Sequence, residues 1–126
     1  MKQISKRQIL LIHDRLISES GGANGVRDES LLESALAVPY QEFGGMSNYP
    51  TIEEKAARMG FGIIKNHPFL DGNKRTGAHI MLLLLYINGV DLVYEQEELI
   101  EVILDLASGK TGYNDLLSWV KEHREK

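Results

Sequence analysis

Nine consecutive residues gather most of the chemistry this chain can offer: His67-Pro68-Phe69-Leu70-Asp71-Gly72-Asn73-Lys74-Arg75. They combine an imidazole, a carboxylate, a glycine and two cations, and an apolar run over residues 78–87 follows at once. Pro68 disfavours helix at the residue before it, which predicts an extended His67 and a preceding helix that stops by Asn66. Gly72 supplies the freedom for a tight turn, and the next helix is expected to open near Asn73. Such a helix directs its unpaired N–H groups and the positive end of its dipole, roughly half a unit charge, back into the loop. Lys74 and Arg75 add full positive charge there, which makes the spot a site for an anion, phosphate above all.

Each residue of this stretch has a chemical and a plain reading. Imidazole titrates at about pH 6.5 in water, so His67 suits a general base, or it braces the end of the preceding helix. Asp71 is a hard oxygen ligand of the kind Mg²⁺ takes once or twice beside phosphates and water. An aspartate before glycine is equally a common turn residue. Gly72 and Asn73 offer backbone N–H groups, with the Asn73 amide beside them, to phosphate oxygens, or simply form a turn and a cap. Lys74 and Arg75 at a helix start oppose the dipole, a local cost that an anion site explains.

The elements that position this stretch read as helices. Ser5-Lys6-Arg7-Gln8 is a capping box opening a helix with Ile9, Ile12 and Leu16 on one side, ended by Gly21-Gly22-Ala23-Asn24-Gly25. Leu31, Leu32, Ala35 and Leu36 mark a second, shorter helix stopped by Pro39. Residues 40–50 form a long loop with room for a short hairpin, a candidate for docking a target. Thr51-Ile52-Glu53-Glu54 is a second capping box, starting a helix to Asn66. A central helix over residues 73–88 capped by Gly89, another over 95–108 ended by Gly109, and a last one over 113–123 complete the chain. The expected fold is all-α, about six helices wrapped around the apolar one. Residues 1–126 are expected to form one domain, since about 100–150 residues normally share one core.

Composition narrows the function classes. There is no cysteine, which removes disulfides, thiolate zinc sites and thiol nucleophiles. The formal net charge of −4 argues against direct nucleic-acid or membrane affinity. Met1-Lys2-Gln3-Ile4-Ser5 carries no apolar signal region, and a cytoplasmic protein is expected. Gly109-Lys110-Thr111 imitates the end of a P-loop, but Leu104 stands where that motif needs glycine, so a helix cap is expected instead. His13 and His123 are expected at the surface or at helix ends, and His79 on the central helix is left unassigned.

The stretch from His67 to Arg75 resembles the Fic/Doc family hallmark H-P-F-x-[D/E]-G-N-[G/K]-R at every position. Gly21-Gly22-x-x-Gly25-Val26-Arg27-Asp28, followed by Leu32-Glu33-Ser34-Ala35-Leu36, is similar to the family's N-terminal signature, and Asn88-Gly89-Val90 is also familiar. The resemblance implies that the position of His67 is the general base, that Asp71 holds Mg²⁺, and that Gly72, Asn73, Lys74 and Arg75 cradle the phosphates of ATP. Fic-type members transfer AMP from ATP to a protein hydroxyl. Here Lys74 replaces a second glycine, and Ala78 stands where Fic enzymes have a later arginine. Both are features of the Doc (death-on-curing) branch, and the resemblance then implies transfer of the γ-phosphate to a threonine of translation elongation factor Tu. In such chemistry Lys74 and Arg75 stabilise the transferred group. No glutamate is followed by Gly or Asn, so the inhibitory [S/T]-x-x-x-E-[G/N] motif is absent. Inhibition in trans is implied, by a Phd-like antitoxin whose C-terminal helix enters a groove. AMP transfer and a non-catalytic binding module are the alternatives.

Overall fold

The computed structural model describes residues 1–125. Six helices are joined in the order α1 (Lys6–Ser20), α2 (Glu29–Ala37), α3 (Ile52–Asn66), α4 (Asn73–Ile87), α5 (Gln96–Ser108) and α6 (Tyr113–Glu122). A hairpin of two-residue strands, β1 (Glu42–Phe43) and β2 (Met46–Ser47), stands between α2 and α3, with Glu42 opposite Ser47 and Phe43 opposite Met46. The architecture is therefore the expected all-α one with a minimal antiparallel addition.

Local sequence accounts for most boundaries. The Ser5 and Thr51 hydroxyls accept from the N–H groups of Gln8 and Glu54, whose side chains reach back to the cap residues. Asp28 caps α2 by accepting from Leu31 N–H at 3.0 Å, and the Ser30 hydroxyl and that N–H hold its carboxyl below the usual carboxylate range. α2 ends at Ala37, and Pro39 sits in the 3₁₀ turn Val38–Tyr40 that follows. Gly109 caps α5 at φ 84°, so Gly109-Lys110-Thr111 is a helix end. His123 caps α6, as expected of a helix-end residue.

The apolar run of α4 is the most hydrophobic stretch, yet α3 is the hub: α2, α4, α5 and α6 all pack on it. α3 and α4 cross closely because each puts a glycine, Gly60 and Gly77, at the contact. A Cβ on Gly77 would stand 2.6 Å from Ile64 Cγ1 and 3.0 Å from Gly60 O, and one on Gly60 would stand 3.1 Å from Met81 Cβ. Around this crossing Ile63, Ile64, Ile80, Met81, Leu84, Leu85, Leu106 and Leu116 are wholly buried. Each such side chain contributes about 1.5–3 kcal/mol on leaving water. α1 packs on α4 and buries Ile9, His13 and Ile17, which keeps the expected Ile9 but moves the next two buried positions on by one from the expected Ile12 and Leu16. The termini are clasped to the bundle. Asn88 exchanges hydrogen bonds with the Lys2 backbone at 2.8 and 2.9 Å, and Val93 N–H donates to His123 O at 2.7 Å. No helix among the described residues is long and apolar enough to cross a membrane.

Candidate active site

The loop between α3 and α4 presents the chemistry-bearing residues, and four of its backbone groups, His67 O, Pro68 O, Leu70 N–H and Asp71 O, are held by residues distant in sequence. α3 stops at Asn66, as Pro68 requires, but His67 is not extended: it lies in the left-handed region at φ 50°, ψ 55°. It is the sole non-glycine residue with positive φ among the described residues. Proline excludes the right-handed helix at its predecessor, and the left-handed turn closes α3 while swinging the chain back across the bundle. Such a conformation costs on the order of 1–3 kcal/mol in a non-glycine residue and persists only where surrounding contacts enforce it.

Those contacts come from residues 22–28, laid antiparallel to the loop. Arg27 and Asp28 N–H both donate to Pro68 O, at 2.7 and 3.1 Å, and Leu70 N–H donates to Gly25 O at 3.0 Å. The Arg27 side chain donates from Nε to His67 O at 2.7 Å and from a terminal nitrogen to Asn66 O at 2.9 Å. Asp71 is exposed, and its carboxylate accepts from Ala23 N–H at 3.3 Å and Gly72 N–H at 3.0 Å. Gly22 suits this place because its φ of 117° strains any L side chain, and a Cβ would also stand 2.9 Å from Asp71 Oδ2.

The floor of the loop is Phe69, fully buried. Asn73 closes a ring on it, accepting from Phe69 N–H at 2.9 Å and donating to Phe69 O at 3.0 Å. The Asn73 side chain is thus buried and spent on the loop, and what it offers a phosphate is its backbone N–H, not its amide. His13 corrects a sequence expectation. Rather than lying at the surface it is 2% exposed, stacks on Phe69 at 3.8 Å and 8°, and donates from Nε2 to Asp71 O at 2.8 Å. Its place four residues from both Ile9 and Ile17, on the buried stripe of α1, was the available signal. Arg27 stands in the stretch that resembles the family's N-terminal signature, but its partners, about forty positions away, are not legible from local pattern.

Gly72 caps α4 at φ 75°, and a Cβ there would press to 2.9 Å from Ile17 Cδ1. The first helical hydrogen bond of α4 runs from Thr76 N–H to Gly72 O at 2.9 Å. The N–H groups of Asn73, Lys74 and Arg75 therefore have no acceptor in their own helix and stand open to a ligand. They edge a polar cleft of about 420 Å³ lined by His67, Leu70, Asp71, Gly72, Asn73, Lys74 and Arg75. Lys74 is exposed and forms no ion pair among the described residues. Arg75 is drawn toward the end of α1, where it donates to Ser20 Oγ and, at 3.5 Å, to Leu16 O. Lys74 and Arg75 also line one end of a second groove of about 400 Å³ between α4 and α5, beside Ala78, His79, Leu82 and Leu99. His79 is thus a groove residue rather than a core one. No cluster of three or more His, Cys, Asp or Glu side chains fit to hold a metal occurs among the described residues. A cation at Asp71 would draw its remaining ligands from phosphate and water, which is how Mg²⁺ is usually held beside nucleotides.

All seven lining residues of the cleft come from the stretch singled out in the sequence, and they set an imidazole and a carboxylate beside an anion-ready helix start. Residues 3–85 match the family described as Fic/DOC. A Toxin Doc of Mycolicibacterium smegmatis is 42% identical over 72 residues, covering 57% of this chain and 55% of that protein. A protein named Protein kinase doc, of Escherichia phage P1, is 30% identical over 121 residues, covering 92% of this chain and 90% of that one. The cleft, the loop that frames it and the two relatives agree on one family, and this chain belongs to Fic/DOC.

Proposed function

We propose that this protein is a Doc-like toxin that transfers the γ-phosphate of ATP to a serine or threonine hydroxyl of a protein, with elongation factor Tu as the target. The observation that carries the reading is the meeting of three ligand-ready N–H groups, Lys74 and Arg75 at the start of α4 with His67 and Asp71 at its rim. Asp71 would hold Mg²⁺, which would supply charge neutralisation for the phosphates of the donor. His67 takes the proton of the target hydroxyl while the oxygen bonds to the γ-phosphorus and the bond to the leaving ADP breaks. Lys74 and Arg75 meet the charge on the transferred group. Ala78 leaves the next turn of α4 without the cation that AMP transfer would use, and Lys74 fills the space a glycine would leave open, so the γ-phosphate is favoured over AMP.

The names of the two relatives support a toxin and a protein kinase, respectively. A toxin needs an inhibitor, and a Phd-like antitoxin helix is the proposed one. The α4–α5 groove, apolar along Leu82, Leu99 and Ile103 with Lys74 and Arg75 at one end, suits an amphipathic helix bearing an acidic residue. The reading is tested with elongation factor Tu, Mg²⁺ and ATP labelled on either the α- or the γ-phosphate. Label from γ alone, lost in His67→Ala, is expected. Label from α would assign AMP transfer, and no label from either would leave a binding module.

A further inference from the structure

We infer that Arg27 is the positioning residue for His67: its guanidinium sets the left-handed backbone that presents the imidazole to the cleft. The inference rests on His67 as the proton acceptor. The two oxygens that Arg27 grips, Asn66 O at 2.9 Å and His67 O at 2.7 Å, belong to the two peptide planes flanking the His67 Cα. Fixing both planes to one rigid, planar fork fixes φ and ψ of His67 between them. The same residue's N–H holds the next carbonyl, Pro68 O, at 2.7 Å. One side chain and its own backbone thus secure three successive carbonyls around His67, the one non-glycine residue at positive φ among the described residues.

A helix-capping role alone would explain less. Any cation near the end of α3 complements its dipole, and Lys65 already stands in its last turn. Arg27 is exposed and forms no ion pair among the described residues, so its donors are committed to the main chain. Lysine keeps the charge but is a point donor and cannot bridge two planes at fixed angles.

Arg27→Lys separates the two roles. With Arg27 as positioning residue, the variant keeps its melting temperature, holds its KM for ATP and loses kcat on the order of 10²-fold. The ¹³Cα and ¹³Cβ shifts of His67 move from left-handed toward extended values in the same variant. Arg27→Ala is the second variant, and soluble ethylguanidinium, unlike ethylammonium, restores its transfer. Unchanged kcat in Arg27→Lys, or unmoved His67 shifts in both variants, would overturn the inference. The shifts are read without any assay, so they stand even if His67→Ala proves fully active and the base reading itself falls.

Discussion

The loop of residues 67–72 and the hairpin of residues 42–47 are the two irregular segments flanking α3, and they are built in opposite ways. The loop is held from outside. His13, Ala23, Gly25, Arg27, Asp28 and Asn73 all bond to it, and it keeps a strained residue in place. The hairpin has a two-residue ladder and little else. Lys55 anchors its base through Ser47 Oγ and the Tyr49 carbonyl, while Phe43 and Met46 are 85% and 75% exposed at its tip. Groups that must meet a transition state gain from being fixed before the substrate arrives. A surface that captures a large partner gains from exposed apolar area and freedom to adjust, and the hairpin fits that part.

Four variants break or sharpen this contrast, in order of expected effect. Asp71→Asn keeps an oxygen that can accept from Ala23 or Gly72 but removes the charge. Transfer is expected to fall on the order of 10²–10³-fold in a steady-state assay, with the melting temperature nearly unchanged. Asn73→Ala strips two hydrogen bonds from the buried Phe69 backbone and should cost about 2–4 kcal/mol in urea unfolding, with transfer falling alongside. Phe43→Ser combined with Met46→Ser should change stability by less than about 0.5 kcal/mol, while raising KM for the protein target and leaving KM for ATP alone. Equal effects on both constants would remove the hairpin from docking.

The smallest effect is a pH dependence on the braced side. Asp28, whose N–H supports Pro68 O, has its carboxyl lowered from 3.8 by the Ser30 hydroxyl and then the Leu31 N–H. A carboxyl lowered in the folded state contributes stability that is complete above its unfolded value and fades as pH falls through the folded one. The melting temperature should therefore decline more steeply below pH 3.8 in the wild type than in Asp28→Asn, which keeps a good cap without the titration.

The same contrast explains what the sequence made legible. Capping boxes at Ser5 and Thr51, the stops at Pro39 and Gly109 and the apolar run of α4 are local signals, and each marks an element end or a helix in the structure. The cleft was legible for the same reason: all its lining residues fall between His67 and Arg75 in the chain. What escaped depends on distance. The left-handed His67 runs against the local rule set by Pro68 because bonds from Arg27 override it. His13 was misread because a polar residue on an apolar stripe has a partner, Asp71 O, that only the fold brings near. The Asn73 amide faces inward rather than toward a ligand for a similar reason: Phe69 folds back over the start of α4.

The most direct test of a strained backbone maintained for catalysis is His67→Gly, with transfer and unfolding free energy measured on the same preparation. Glycine adopts the left-handed conformation without penalty, and the exposed ring gives up little packing. Transfer should be abolished while stability stays level or rises by up to about 1 kcal/mol. Transfer persisting at near the wild-type rate, or stability falling by more than about 1 kcal/mol, would contradict a histidine kept in that conformation for its chemistry.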